Sequence, residues 1–338
     1  MKRYVLPDSG VIADISLSEI DIPRPKRNQA LVKMRAVSLN YRDLIIAQGG
    51  YRLAAAQIKG IVPLSDGAGE VVETGEDVSR VKTGDRVVNT FIPGLVTGQA
   101  TSECLGKLRG ASNDGVLSEY VVFEEQDLVH IPDNMSFQEA ACLPCAAVTA
   151  WNSLYCGPQP LMPGQTVLTL GTGGVAIMAL QLARAGGAKV IITSSSDEKI
   201  NQVLKLGAWN GVNYKEHVEW QEEILRLTGG IGVDHTVETG GPGTLPRSVA
   251  ATRFGGSLGM IGVLVEGTID PKSVMHRGMV VRSVLTGSRT MLEDLIRAVD
   301  FHRIKIVIDK SFTFDEAVSA YLHLESATHM GKVVIQLG

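Results

Sequence analysis

The stretch from Pro163 to Lys199 constrains this chain more than any other. Val167–Leu170 is a short, apolar, β-rich run, and Gly171, Gly173 and Ala176 follow it at G-x-G-x-x-A spacing. Val175, Met178, Ala179 and Leu182 then recur at helical period, and Lys189–Thr193 is a second apolar run. Together these predict a βαβ unit of roughly 30 residues, the context in which such glycines become a dinucleotide fingerprint. Gly171 lets the chain turn tightly out of the strand. Gly173, with no Cβ, lets backbone N–H groups approach a pyrophosphate, and Ala176 allows close helix–strand packing. Gly171, Thr172, Gly173, Gly174 and Val175 are therefore the expected phosphate-side contacts.

The rhythm of the chain changes around this stretch. Residues 1 to about 145 read as short β segments separated by Gly, Pro and Asp turns, with strands expected at Gln29–Val37, Gly67–Glu73, Asp85–Thr90 and Ser118–Phe123. From about Met162 strands and helices alternate. Strands are expected near 167–171, 189–193, 212–214, 233–238, 256–262 and 280–285, with helices near 175–186, 197–206, 216–228 and 243–252. The fold class is thus α/β: a compact β barrel and a doubly wound parallel sheet. A helix over Met291–Phe301, a final helix with an acidic first turn at Asp315–Glu316 and a strand over Lys332–Leu337 close the chain.

Composition excludes several partners. The net charge of −4 offers no attraction for nucleic acid or an anionic membrane, and no apolar run of spanning length exists. The N-terminus lacks a signal-peptide core, and four cysteines are too few for a disulfide scaffold in 338 residues, so a cytoplasmic setting is expected.

Five segments carry a resemblance: Ala36–Asp43, Asp66–Val72, Val81–Val87, Leu143–Trp151 and the glycine loop. With these the chain resembles the medium-chain dehydrogenases/reductases of the zinc-independent, quinone-oxidoreductase-like branch, over nearly its whole length. The resemblance implies a GroES-like β barrel made of residues 1–146 and 290–338, a Rossmann domain over 147–289 and an active site in the cleft between them. It also implies an NAD(P)H-dependent oxidoreductase acting on a small molecule.

Zinc relatives need soft or imidazole ligands. Their first cysteine position holds Asn40 here, their Gly-His-Glu reads Leu64-Ser65-Asp66, and only Cys145 keeps a ligand type; the lobe of four clustered cysteines is reduced to Cys104. No metal site is expected. Cys142 and Cys145 form a C-x-x-C without a companion pair, read as a buried helix start, and His235 reads as a satisfied strand histidine.

Without a Lewis acid, reduction of an already activated acceptor asks least of the protein: positioned donors stabilise charge collecting on oxygen, and orientation supplies much of the rest. The resemblance implies Asn40, Tyr51 and Asp43 as catalytic candidates. Asp43 has a second reading as the cap of a helix over Leu44–Gln48, and Tyr51 a second reading as a packing residue. Ile45 stands where the family places another pocket tyrosine. Thr149 is expected beside the nicotinamide and Trp151 in the core. Two classes of function fit: an NADPH-dependent reductase of quinones or α,β-unsaturated carbonyls, and an NADPH-binding protein with little catalysis; zinc-type alcohol dehydrogenase activity is the further enzyme alternative.

The cofactor expectation is NADPH. NAD sites place a carboxylate at the end of the second strand. That position is Ser194 here, followed by Ser195 and Ser196, with Lys199 one turn on and Tyr214 at a position the family sets against the adenosine phosphate. Asp197 is expected to face solvent, where its charge suits the helix dipole. Gly262 and Arg289 complete the expected cofactor set. Finally, Met279–Leu285 reads as a long apolar edge strand that relatives pair across a two-fold axis, so a homodimer is expected.

Overall fold

The structure is a computed structural model, and it describes residues 1–50 and 60–338. The chain divides into two units, Met1–Val148 with Thr286–Gly338, and Thr149–Leu285.

The second unit is a six-stranded parallel sheet. Its strands lie in the order Asn210–Asn213, Lys189–Ser194, Thr166–Leu170, Val233–Glu238, Thr252–Met260, Val280–Ser283. Both faces of such a sheet are covered, so its strands are continuously apolar: Val167 and Leu168 and Val190–Ile192 are buried. The order reverses between Thr166–Leu170 and Val233–Glu238, which places a crevice at their carboxyl ends. Helices Gly174–Ala185 and Asp197–Lys205 follow strands Thr166–Leu170 and Lys189–Ser194 along the chain. The next helix starts at Trp220 rather than near 216, because Glu216 and His217 close a turn on the Asn213 carbonyl. A helix over Pro271–Arg277 was not expected. It carries an N-terminus signature all the same: the Asp270 side chain accepts from the Lys272 N–H, Pro271 opens the helix, and Gly278 closes it at φ 56°. His235 is buried with Nε2 3.2 Å from Gln165 Oε1, and Trp151 is half-buried against Tyr155.

The first unit is built around one long strand, Gln29–Leu39. Asp66–Thr74 pairs antiparallel along it on one edge. The other edge changes partner: Tyr120–Glu124 takes residues 29–33, and Lys332–Gln336 takes residues 36–39. Strands Arg86–Asn89 and Leu128–His130 extend one end of the sheet, and Ile308–Thr313 the other. Leu39 therefore faces Val333 in register, which brings the start of the last strand to the end of the first long one. Inward-facing residues such as Met34, Leu39, Phe123 and Tyr321 form the core.

Helix Tyr41–Ala47 follows at once. Its N-cap is Asn40, in extended backbone, and not Asp43 as one sequence reading had it. Asp43 is the third helical residue and reaches back to the Asn40 N–H at 2.7 Å, so the pair closes one side of a capping box. Gly49, at φ 78°, ends the element in the left-handed conformation that only glycine adopts cheaply.

Candidate active site

A buried polar cluster lies where the long strand ends. Asn40 is 8% exposed, Asp43 1% and Asp66 0%. Asp43 Oδ2 accepts from the Asn40 N–H, its Oδ1 lies 3.5 Å from the Arg42 guanidinium, and Arg42 also donates to the Arg109 carbonyl at 3.1 Å and stacks over Phe91. Burial pushes the Asp43 carboxyl up to about 6, against the opposing pull of Arg42 and its own backbone hydrogen bond. Burial, reinforced by Asp43, also holds the Tyr321 hydroxyl well above its ordinary value.

The neighbouring loop is held just as firmly. Ser65 Oγ donates to Asp66 Oδ1 at 2.7 Å, and Asp66 Oδ2 accepts the Cys145 N–H at 2.9 Å. Asn89 ties the strand start together, donating to the Ser65 carbonyl and accepting from the Gly67 N–H. Leu64 enters at φ 68°, a strained backbone for a branched residue, and the Val116 N–H bonds its carbonyl.

One member of the cluster was missed by the sequence reading. Lys332 is 3% exposed, and its ammonium donates to the Leu39 carbonyl at 2.6 Å and to Asn40 Oδ1 at 2.5 Å. From sequence, a lysine at the start of an apolar strand reads as a solvated end. Only the register of the sheet puts it beside Asn40.

These donors do not fit a zinc ion. Asn40 Oδ1 faces an ammonium, the Ser65 hydroxyl is spent on Asp66, and a cation already occupies the neighbourhood. Burial pushes the Cys142 thiol up to about 12 and the Cys145 thiol higher still. Among the described residues no group of three or more His, Cys, Asp or Glu side chains is arranged to hold a metal. The same raised thiols speak against C-x-x-C redox chemistry.

Of the other catalytic candidates, Tyr51 lies outside the described residues. Thr149 is buried in helix Val148–Tyr155 of the second unit, near its first turn.

The second unit carries the dinucleotide candidates at the carboxyl end of its sheet. Gly171 leaves the strand at φ 73°, its N–H bonded to the Thr193 carbonyl. Gly173 is the N-cap of the 12-residue helix Gly174–Ala185 and supplies no side-chain cap, so the first N–H groups stay available. A Cβ built on Gly171 or Gly173 meets no protein atom within 4 Å. That open cradle at a helix N-terminus fits a pyrophosphate. Thr172 is buried, and Val175 is half-buried in the first helical turn.

Ser194 ends the second strand, 3% exposed, and its Oγ accepts the Ser196 N–H at 3.3 Å. Ser196 caps helix Asp197–Lys205 through the Lys199 N–H, which leaves Ser194 and Ser195 out of that role. Asp197 is exposed, as expected, and accepts from Asn213 at 2.8 Å. Lys199 is half-buried, and Tyr214 is 42% exposed with its N–H on the Ser194 carbonyl.

Gly262 follows the carboxyl end of strand Thr252–Met260, and a Cβ there would lie 1.9 Å from the Thr239 carbonyl, so the two loops pack closely at this glycine. Arg289 belongs to the first unit, where Gln126 and Glu293 hold its guanidinium. The sequence reading also passed over Glu238. This fully buried carboxylate accepts from the Gly240 and Gly241 N–H groups and from the Thr244 and Ser248 hydroxyls, and so fixes the loop after the fourth strand of the sheet.

Comparison with known proteins agrees with this architecture. Residues 26–133 match the alcohol dehydrogenase GroES-like domain, and residues 174–301 match the zinc-binding dehydrogenase family. The second match takes in neither Asn40, Ser65, Asp66 nor Cys145. A zinc-type alcohol dehydrogenase-like protein of Schizosaccharomyces pombe is 41% identical, aligned over 99% of both chains. An NADPH-dependent alkenal/one oxidoreductase of the Arabidopsis thaliana chloroplast is 30% identical, over 99% of this chain and 79% of its own. A crystal structure of an NAD-dependent alcohol dehydrogenase superposes with a TM-score of 0.89, at 30% identity and 100% coverage of each chain. By sequence over its full length, by fold and by the two matched domains, the chain belongs to the medium-chain dehydrogenase/reductase superfamily of oxidoreductases.

Proposed function

We propose that this oxidoreductase is an NADPH-dependent reductase of activated acceptors, α,β-unsaturated carbonyls or quinones, working without a metal. One observation carries the reading. Asn40 presents a buried amide donor, Nδ2, with no partner among the described residues, at a position where the zinc relatives place a ligand and where the surrounding donors do not fit zinc. A buried amide donor with nothing to donate to is costly unless a ligand completes it. A substrate oxygen that gathers negative charge would do so.

Bound at the glycine cradle, a reduced nicotinamide supplies the hydride. Gly171, Thr172, Gly173, Gly174 and Val175 hold the pyrophosphate end through backbone N–H groups. Ser194, Ser195, Lys199 and Tyr214 take the adenosine end, where a hydroxyl in place of a carboxylate favours a 2′-phosphate. Asn40 Nδ2 donates to the acceptor oxygen and so lowers the cost of the charge that develops there. The NADPH-dependent alkenal/one relative supports the acceptor class; the alcohol dehydrogenase relatives support the competing reading.

Four cysteines without a disulfide suit a reducing, cytoplasmic setting, and no helix among the described residues is long and apolar enough to cross a membrane. The test is NADPH oxidation by purified protein across enones, quinones and simple aldehydes, with and without chelator, beside alcohol oxidation with NAD⁺ and NADP⁺. Enone or quinone turnover that survives chelation is expected. Zinc-dependent alcohol oxidation as the dominant activity would overturn the reading.

A further inference from the structure

Every polar group of Asn40 but one is assigned. Its N–H goes to Asp43 Oδ2, its carbonyl accepts the Asp43 N–H, and its Oδ1 accepts from the Lys332 ammonium. An ammonium only donates, so the amide atom facing it has to be oxygen, and the NH₂ group has to point the other way. The orientation of this amide is therefore set by chemistry. Nδ2 is the group left over, buried and unpartnered among the described residues.

Lys332 is itself held in place. The last strand enters through Gly331 at φ 80°, where a Cβ would lie 2.3 Å from the Val307 carbonyl, and the Lys332 N–H bonds that same carbonyl at 3.0 Å. The next residue, Val333, is in register with Leu39. An apolar side chain at 332 would avoid the cost of burying a cation, yet an ammonium stands here, 292 residues away in sequence from the amide it touches. Its charge also reaches Asp43, Cys142 and Cys145, lowering the pKa of each against the larger effect of burial.

We infer that Lys332 is a positioning residue: its ammonium locks the Asn40 amide with the NH₂ group turned toward the acceptor oxygen, and polarises that amide as a donor. The inference rests on the proposed role of Asn40 as the donor to substrate. A nearby positive charge strengthens a hydrogen-bond donor conjugated to the group it contacts, so the pair acts as a relay of polarisation with no proton moving.

The experiment uses the full chain with NADPH and an enone, and compares Lys332→Met, Lys332→Gln, Asn40→Ala, Asn40→Asp and the double variant Lys332→Met/Asn40→Ala. Asn40→Asp is the diagnostic case, because a carboxylate pairs with Lys332 but has no N–H to offer. It is expected to melt at or above the wild-type temperature while its kcat falls about 10²-fold, as for loss of an oxyanion donor. Lys332→Met is expected to lower kcat by roughly ten- to a hundredfold, a part of that loss, with acceptor KM and NADPH affinity little changed. Lys332→Gln, which keeps an N–H donor, recovers part of the rate, and it stands in should Lys332→Met fail to fold. The double variant is expected to be no slower than Asn40→Ala. Additive losses in the double variant, or wild-type kcat in Lys332→Met or Lys332→Gln beside a crippled Asn40→Ala, would overturn the positioning role alone. Wild-type kcat in both Asn40 variants would overturn the role of Asn40 and this inference with it.

Discussion

Asp43 is the residue whose chemistry the fold alters most legibly. Its carboxyl is raised from 3.8 to about 6, chiefly by burial. A raised folded pKa means that the folded state holds the proton more tightly, so the stabilisation is complete below the unfolded pKa and is lost as pH rises through the folded one. The cost of ionising Asp43 in place is about 3 kcal/mol across roughly pH 4 to 6. Asp43→Asn keeps an acceptor for the Asn40 N–H and removes this titration. Its melting temperature relative to wild type should therefore climb as pH goes from 4 to 6.5, and parallel curves in that window would count against a buried, raised carboxyl. The serine cluster gives a second prediction at this scale. A charge-assisted hydrogen bond is worth about 1.5–3 kcal/mol, so NADPH should bind about tenfold to a hundredfold tighter than NADH, and Ser194→Asp with Lys199→Ala should reverse the order. Fluorescence titration of both cofactors decides it; equal affinities in the unmodified protein would show that these side chains do not recognise the phosphate.

At the scale of elements, two glycines that the sequence assigned to one task differ in the room around them. Gly173 caps its helix at φ −76°, a backbone any residue adopts, and a Cβ there meets no protein atom within 4 Å. Gly173→Val should lower the stability of the cofactor-free protein by only about 1 kcal/mol, the cost of a poorer N-cap, while NADPH affinity falls at least about tenfold through lost approach to the pyrophosphate. Gly262→Ala should do the reverse, because its Cβ would strike the Thr239 carbonyl at 1.9 Å; a loss of several kcal/mol in stability is expected from such overpacking. Thermal melts and cofactor titrations on the two variants should cross over in this way. The same scale shows how patterns become elements. Asn40 with an acid three residues on is a helix-start signature, and the helix indeed begins at Tyr41 rather than Leu44. Asp270-Pro271 is another, overlooked because the short helix after it buries none of its residues and so shows no apolar stripe.

At the scale of the whole molecule, Val280–Ser283 is the edge of the six-stranded sheet. The element is four residues, shorter than the seven-residue run that suggested it, and half-buried in its first three positions. Phe254, Met260 and Leu285 are exposed nearby in sequence or at the ends of the two outermost strands. A short edge still leaves backbone donors and acceptors unpaired, and a two-fold copy is the simplest partner for them. A dimer is expected in light scattering at micromolar concentration, and Val281→Pro, which removes an edge N–H, should shift it toward monomer; a wild-type monomer would refute the assembly.

The sequence by itself determined whatever depends on neighbours along the chain. The βαβ unit and its phosphate turn follow from residue spacing over a few tens of positions, because helix periodicity, strand composition and the steric freedom of glycine are local properties. The α/β class and the parallel sheet follow from repeating that pattern; the lateral order of its strands came from the structure. Which side chains meet across the chain was decided by tertiary structure alone. Asn40 was readable as a candidate, but the lysine on its amide was not, because their contact depends on one long strand exchanging partners midway along its edge and on the register of a strand almost three hundred residues later. Burial, likewise a property of the packed whole, raises the Asp43 carboxyl and the Cys142 and Cys145 thiols above their ordinary values.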